Sequence, residues 1–223
     1  MTRGLGAVLF DMDGTLLDSE KLWTLALADV ANWLGGELSE RARHRMVGSS
    51  LARSIAILHD DLGIAADPEG SAAYLVERTA ELFATDLTWK PGAGALLAAV
   101  QAAGLPAALV TSTHRRLTDI ALDMIGRQFF AATVCGDEVA HPKPAAEPYR
   151  LAASLVGIDP AQCVAVEDSP LGVASAEAAG CTVLAVPSEV PIERGSARTV
   201  VASLDGVTVA DLAALLDRDA KVG

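Results

Sequence analysis

The fold is decided by the stretch Ala7-Val8-Leu9-Phe10-Asp11-Met12-Asp13-Gly14-Thr15-Leu16-Leu17-Asp18. Its four leading apolar residues run directly into acids, which predicts a short buried strand ending at the acidic pair. Side chains alternate along an extended chain, so Asp11 and Asp13 are expected on the same side of the backbone. Two such charges repel each other, and a bound divalent cation is one reason to place them together. A strand followed by an ordinary acidic Asp-Gly turn is the alternative.

The composition limits the classes of function. The chain has 223 residues, 51% of them hydrophobic, which is enough for one large core or a core domain with an inserted one. A net charge of -12 argues against a nucleic-acid partner, because neutralising phosphates requires clustered Lys and Arg. A small phosphorylated metabolite needs only a few local cations and is not excluded.

The three cysteines, Cys135, Cys163 and Cys181, are far apart and follow no metal-binding spacing. We expect them to be reduced core residues of a cytoplasmic protein. Neither a signal peptide nor a membrane partner is predicted: the apolar start is short, and the uncharged stretch 92–110 is rich in Ala and Gly. A monomer is the expected oligomeric state.

Hydrophobic spacing predicts four helical stretches between Leu22 and Phe83, followed by helices that alternate with strands. The expected later strands are 107–111, 132–135, 163–167 and 182–186, with a last one near Val200. This alternation is typical of an α/β fold with a doubly wound, Rossmann-like parallel sheet. The predicted core domain comprises residues 1–18 and 90–223, and residues 19–89 form an inserted α-helical cap domain. The insertion follows the carboxyl end of the first strand, where ligands bind in such sheets, so it is placed to act as a lid.

Two further polar sites follow predicted strands. Thr111 and Ser112 come where the next helix begins, so they form either an anion site or an ordinary helix cap. Lys143 stands between Pro142 and Pro144, which hold it in place. It is either a cation for a phosphate or a solvated loop lysine.

A third polar site is the acidic pair Glu167-Asp168 at the end of a buried strand. Ser169 and Pro170 follow it and predict a helix N-terminus. Buried strand ends rarely carry two acids without a cation, so metal binding is the preferred interpretation.

Taken in order, these sites resemble the motifs of the haloacid dehalogenase superfamily, in the branch with an α-helical cap inserted after the first motif. Asp11-Met12-Asp13-Gly14-Thr15 is similar to the first motif and Thr111-Ser112 to the second. Lys143 is similar to the third motif and Glu167-Asp168 to the fourth. The resemblance covers nearly the whole chain and is closest to the β-phosphoglucomutase-like and sugar-phosphatase group.

The resemblance implies a role for each motif. Asp11 would be the nucleophile that forms an aspartyl-phosphate, and Asp13 would protonate the leaving oxygen and then activate water. The implied Mg²⁺ ligands are Asp11, the Asp13 backbone carbonyl, Asp168 and, in the inner or outer shell, Glu167. The implied phosphate-binding groups are Thr111, the Ser112 backbone and Lys143.

Differences from the motifs of this group disfavour some of its activities. Dehalogenases of the superfamily lack the second acid, so Asp13 disfavours that reaction. Mutases of the group carry an Arg after the Gly-x-Ser turn and a His on the first cap helix, where this chain has Leu51 and Trp23. The third motif departs from the usual Lys-Pro-x-Pro-Asp, but Lys143 and Pro144 are kept.

The sequence therefore predicts a Mg²⁺-dependent phosphomonoester hydrolase, a phosphatase, that acts on a small phosphorylated metabolite such as a sugar or polyol phosphate. A phosphosugar mutase is the main alternative. A phosphonate hydrolase and a non-catalytic binding protein are less favoured, since no cap lysine stands at a convincing position and no essential acid is missing. The predicted substrate-specificity residues are Gly48, Ser49, Ser50, Arg53, His114 and Arg115, although exposed helix charges and caps explain several of them equally well.

Overall fold

The computed structural model describes residues 4–219, and within that range six strands form one sheet. The strands are β1 (Ala7–Phe10), β2 (Ala107–Val110), β3 (Ala132–Val134), β4 (Cys163–Glu167), β5 (Thr182–Ala185) and β6 (Arg198–Val200). Every neighbouring pair is parallel, and the spatial order is β3-β2-β1-β4-β5-β6. The predicted α/β fold with a doubly wound parallel sheet is confirmed.

Nine α-helices accompany the sheet in the described part of the chain. They are α1 (Glu20–Trp33), α2 (Glu40–Met46), α3 (Leu51–Leu62), α4 (Pro68–Asp86), α5 (Ala93–Ala102), α6 (Arg115–Ile125), α7 (Glu147–Leu155), α8 (Pro170–Ala179) and α9 (Val209–Asp219). The sequence predicts the fourth helical stretch from about Ser71, whereas α4 begins three residues earlier, because Asp67 caps it and Pro68 occupies its first position. None of the described helices is both long and apolar enough to cross a membrane.

Both faces of the sheet are covered, which explains why the central strands β1 and β2 are continuous apolar runs. Val8 and Phe10 point to the face packed by α5, α6 and α9, whereas Ala7 and Leu9 point to the face packed by α7 and α8. All four of these β1 side chains are fully buried. Strand β1 is therefore central to the hydrophobic core on both sides.

Helices α1 to α4, here called the four-helix segment (residues 20–86), lie between β1 and β2 in the sequence. They share a hydrophobic cluster of their own, which includes Val30, Met46, Ile55 and Leu58. The two connections between the sheet and this segment are hydrogen-bonded to each other. The amide of Asp18 donates to Thr88 O at 2.9 Å, and that of Lys90 donates to Leu16 O at 2.9 Å. These contacts lie at the predicted boundaries of the cap, whose behaviour as a separate domain stays a prediction.

The strand order reverses at β1, because β2 and β3 lie on one side of it and β4 to β6 on the other. The crevice beyond the carboxyl ends of β1 and β4 is therefore the topological switch point, where open α/β sheets bind ligands. Asp11 directly follows β1, and Glu167 is the last residue of β4. The fold thus brings the first and fourth motifs together, although 156 residues separate Asp11 from Glu167.

Candidate active site

Lys143 is the central cation of the crevice. Its Nζ atom donates to Asp11 Oδ1 at 2.7 Å, to Glu167 Oε1 at 2.6 Å and to the Val110 carbonyl at 2.9 Å. The lysine and both acids are buried. The loop lysine is therefore not solvated, and its three donors are all used by groups at the ends of β1, β2 and β4.

Two hydroxyl groups hold the Glu167 carboxylate in addition to Lys143. The Tyr149 hydroxyl donates to its Oε1 at 2.7 Å, and the Ser169 hydroxyl donates to its Oε2 at 3.2 Å. Gly172, in the first turn of α8, leaves the space for this carboxylate, because a Cβ there would lie 1.9 Å from Glu167 Oε1. The backbone and side chains around β4 thus fix Glu167 in one orientation.

Three carboxylates of the crevice form a group that fits a divalent cation. Asp11, Glu167 and Asp168 each offer an oxygen within 4.8 Å of the others, and all three are buried. Oxygen donors of this kind are the ligands that Mg²⁺ prefers. A fourth carboxylate oxygen, Oε1 of Glu20, is buried without a hydrogen-bond partner among the described residues. The donor set therefore matches the predicted Mg²⁺.

Gly14 allows this acidic group to close around the end of β1. Its φ is +79°, in the left-handed region that favours glycine. A Cβ at this position would lie 2.2 Å from Asp168 Oδ2 and 2.8 Å from Glu20 Oε1. Any larger residue would displace the acids, so this glycine is required by close approach as well as by backbone geometry.

The charges of the crevice are unbalanced. Burial raises the pKa of the Asp11 carboxyl from 3.8 to about 8, with Lys143 opposing the shift and Glu167 adding to it. Burial, together with the charges of Asp11 and Glu167, also raises the pKa of Asp168 well above its ordinary value. Burial lowers the pKa of the Lys143 ammonium, but Asp11 and Glu167 outweigh this effect and raise it overall. One ammonium thus faces three acids, and an added cation would favour their ionised forms.

Asp13 does not point its carboxylate into the acidic group. Oδ1 accepts hydrogen bonds from Ser19 Oγ at 2.6 Å and from Trp23 Nε1 at 2.9 Å. Oδ2 accepts from Thr113 Oγ1 at 2.7 Å and from Thr111 Oγ1 at 3.3 Å. Four donors thus satisfy the Asp13 side chain, and the binding of a cation beside the two aspartates stays a prediction in which Asp13 contributes its backbone carbonyl.

A cavity lies between the sheet edge and the four-helix segment. Most of the predicted site residues line it: Asp11, Asp13, Gly48, Ser49, Thr111, Ser112, His114, Lys143 and Asp168. Glu167 is not among the lining residues, but it contacts Lys143, which is. The Ser112 hydroxyl donates to the Gly48 carbonyl at 3.2 Å and so joins the second motif to the turn before α3.

Three predicted specificity residues lie outside the cavity lining. Ser50 is the N-cap of α3 and accepts a hydrogen bond from the Arg53 amide. Arg53 is exposed on that helix. Arg115 forms an ion pair with Glu138 at 2.8 Å. These positions match the alternative interpretation of helix capping and surface charge.

The sequence interpretation missed several residues that hold the acids. Ser19 and Trp23 bind Asp13 from the first turn of α1, and Tyr149 binds Glu167 from α7. The sequence spacing could have predicted that Ser19 and Trp23 act together, since residues four apart at a helix start face the same direction. Trp23 had been noted only as a place where mutases carry another residue. No pattern in the sequence predicts the contact of Tyr149 with Glu167.

Changing Trp23 to phenylalanine is expected to lower kcat/KM for the preferred phosphate ester about 10-fold. The change removes the hydrogen bond that Trp23 Nε1 donates to Asp13, and such a bond contributes about 0.5–1.5 kcal/mol. It keeps an aromatic ring against Phe83. Steady-state kinetics of the purified variant would measure this. Trp33→Phe is the matched control, because that ring stacks on Tyr74 at the surface. Equal losses in the two variants would contradict a role for the Trp23 hydrogen bond.

The fold and the site define a class: a Rossmann-like α/β protein with a buried carboxylate–lysine centre at the switch point of its sheet. Residues 5–180 match the family model of the haloacid dehalogenase-like hydrolases, and the chain belongs to that family. The predicted superfamily is therefore confirmed.

Relatives place the chain more closely within the family. It is 34% identical to hexitol phosphatase A of Escherichia coli, over 90% of this chain and 92% of that protein. It is 33% identical to the phosphorylated carbohydrates phosphatase of Thermotoga maritima, over 78% of this chain and 81% of that protein. The crystal structure of β-phosphoglucomutase from Clostridium difficile superposes with a TM-score of 0.84, covering 98% of this chain and 100% of that one. Its 17% identity shows a shared fold alone.

Proposed function

We propose that this protein is a Mg²⁺-dependent phosphomonoester hydrolase that acts on a small sugar or polyol phosphate through an aspartyl-phosphate at Asp11. One observation carries the proposal. The Asp11 carboxylate is buried at the floor of the cavity, 2.7 Å from the Lys143 ammonium, with the Asp13 carboxylate facing the same cavity. This supplies a nucleophile, a cation and a second acid at one place.

The chain is a phosphatase by its family and its relatives. Its family model is that of hydrolases, and both relatives described above are named phosphatases. Their names specify hexitol phosphates and phosphorylated carbohydrates, which supports the predicted substrate class for this chain.

The reaction follows from the positions of the two aspartates. An Asp11 oxygen attacks phosphorus, and the bond from phosphorus to the leaving oxygen breaks as the new P–O bond forms. Asp13 gives its proton to that leaving oxygen, so the alcohol departs neutral. A water molecule then attacks the phosphorus of the aspartyl-phosphate and returns a proton to Asp13, while the bond between phosphorus and the Asp11 oxygen breaks. This releases inorganic phosphate and restores both carboxyl groups.

Charge neutralisation and positioning supply most of the catalysis in such a transfer. Lys143 and the hydroxyl of Thr111 face the cavity beside Asp11 and are proposed to hold phosphoryl oxygens together with the Ser112 backbone amide. Asp11, Glu167 and Asp168, with the backbone carbonyl of Asp13, are proposed to hold Mg²⁺, which supplies positive charge to the transferring phosphoryl group.

Among the described residues, those that the competing activities need are absent from the cavity. Leu51 lines the cavity at the place where mutases carry an arginine, and Trp23 is engaged with Asp13. Lys21, the lysine of the four-helix segment, is 79% exposed and pairs with Asp18, so it does not serve the Schiff-base chemistry of phosphonate hydrolases. Hydrolysis is therefore favoured over both alternatives. The cap role of residues 19–89, the monomeric state and the cytoplasmic location remain part of the proposal.

Phosphate release from a panel of sugar, polyol, glycolate and nucleotide monophosphates tests the function. The expected result is release from sugar or polyol monophosphates that requires Mg²⁺ and stops with a chelator. The organic product is identified in the same reactions. An isomerised sugar phosphate without free phosphate would establish a mutase instead. Phosphate release that persists in chelator would contradict the proposed requirement for Mg²⁺.

A further inference from the structure

An ion pair joins the four-helix segment to the sheet beside the cavity. Arg43, in α2, donates from Nη1 to both carboxylate oxygens of Glu189, at 2.6 and 2.5 Å. Glu189 lies in the loop that follows β5, and 146 residues separate the two partners. Both side chains are about three-quarters buried, with 24% and 23% of their surface exposed. Both also line the cavity that contains Asp11 and Asp13.

The cations of this cavity are already paired. Among the described residues that line it, the lysine and arginine side chains are Lys143 and Arg43. Lys143 serves Asp11 and Glu167, and Arg43 serves Glu189. Glu20 also lines the cavity, but its carboxylate lies beside Gly14 and Asp168, at the acidic group.

This distribution has a consequence for the leaving group of a substrate. A second phosphate or a carboxylate that reached the Arg43–Glu189 pair would meet the Glu189 carboxylate, and the arginine that would bind it is occupied. Buried like charges repel each other strongly because water screens them poorly. An uncharged leaving group instead finds hydrogen-bonding partners in the hydroxyls of Ser49 and Ser54, which also line the cavity.

We propose that Glu189 determines charge selectivity: by holding Arg43, it restricts the cavity to phosphomonoesters whose leaving group is uncharged. This inference rests on the proposed phosphatase function and specifies its substrate class. Glu189 acts both by repulsion and by withholding the cation, which is the combination by which specific sites exclude a competitor. Removing its charge is expected to free Arg43 for an anionic leaving group.

The test compares one neutral and one anionic leaving group in the wild-type protein and in Glu189→Gln. Sorbitol 6-phosphate and 2-phosphoglycolate serve as the probes, assayed by phosphate release with Mg²⁺. In the wild-type protein, kcat/KM is expected to favour sorbitol 6-phosphate. In Glu189→Gln, the ratio is expected to shift by about 10-fold or more toward 2-phosphoglycolate. The amide keeps the shape of the side chain, so a loss of packing is not the cause of such a shift.

Two further variants separate selectivity from a structural effect. Arg43→Gln combined with Glu189→Gln is expected to remove the gain on 2-phosphoglycolate, because the freed cation is gone. Glu177→Gln breaks a comparable ion pair with Arg198, which does not line the cavity, and is expected to leave the ratio unchanged.

The outcomes that overturn the proposal are distinct. An unchanged ratio in Glu189→Gln, including an equal loss on both substrates, would reject the role of Glu189 and leave the phosphatase function standing. A wild-type preference for 2-phosphoglycolate would do the same. Absence of phosphate release by the wild-type protein from every ester of the panel would reject the phosphatase function, and this inference with it.

Discussion

Asp11→Asn is expected to lower the rate of phosphate release at least about 10³-fold, because an amide oxygen does not replace the carboxylate as nucleophile. The folded state is expected to survive the change. Asp11 lies in a group of three acids around one lysine, so the amide relieves repulsion as it loses one ion pair. The free energy of unfolding should therefore fall by less than the about 3–5 kcal/mol that removing one partner of a buried ion pair usually costs. Urea unfolding and steady-state phosphate release measure the two effects.

The controls for this variant use other aspartates. Asp123→Asn changes an exposed carboxylate that pairs with Arg127, and it should leave phosphate release unchanged. Asp13→Asn should still form some phosphoenzyme from an ester with a good leaving group, but release phosphate poorly, since the proton acceptor for water is lost. Full activity of Asp11→Asn would make the assignment of the nucleophile wrong, whereas Asp13→Asn with normal turnover would remove only the acid–base role of Asp13.

Lys143→Met is expected to damage both activity and stability. The ammonium contacts Asp11, Glu167 and the Val110 carbonyl, and its removal leaves two buried carboxylates without their cation. Breaking a buried ion pair by removing one partner costs about 3–5 kcal/mol. We expect a loss of this size in urea unfolding at pH 7 with chelator present, so that no added metal compensates. Phosphate release should fall at least about 10²-fold, because an electrostatic stabiliser of the transferring group is lost.

The matched control is Lys21→Met, since Lys21 is exposed and pairs with Asp18 at the surface. It should change neither the unfolding transition nor the rate. Lys143→Arg keeps the charge but places a planar guanidinium where a compact ammonium meets three acceptors, so it should restore only part of the stability. A Lys143→Met variant as stable as the wild-type protein would show that the acids are not held by this lysine.

Much of the fold could be predicted from the sequence, because its strands and helices follow local patterns. Strands buried on both faces are short apolar runs, and amphipathic helices have a period near 3.6, so both leave a local pattern. Strands β1 and β4 have the bounds that the sequence predicts. The positions of Asp11, Lys143 and Glu167 beside strand ends or in loops then predicted that they meet, because parallel strands end at one edge of the sheet.

Side-chain partners across the cavity were decided only by the tertiary structure. The partners of the Asp13 carboxylate, Trp23 and Thr113, come from elements outside β1, because the direction in which a strand-end acid turns depends on what packs against it. For Arg53 the sequence left both a substrate contact and an exposed helix charge open; Arg53 is exposed, and Arg43 lines the cavity. The sequence determined the nature and order of the chemical groups, because these depend on residue type and local periodicity. The structure determined which groups face the substrate, because that depends on how α1 to α4 dock on the sheet, through contacts between residues far apart in the chain.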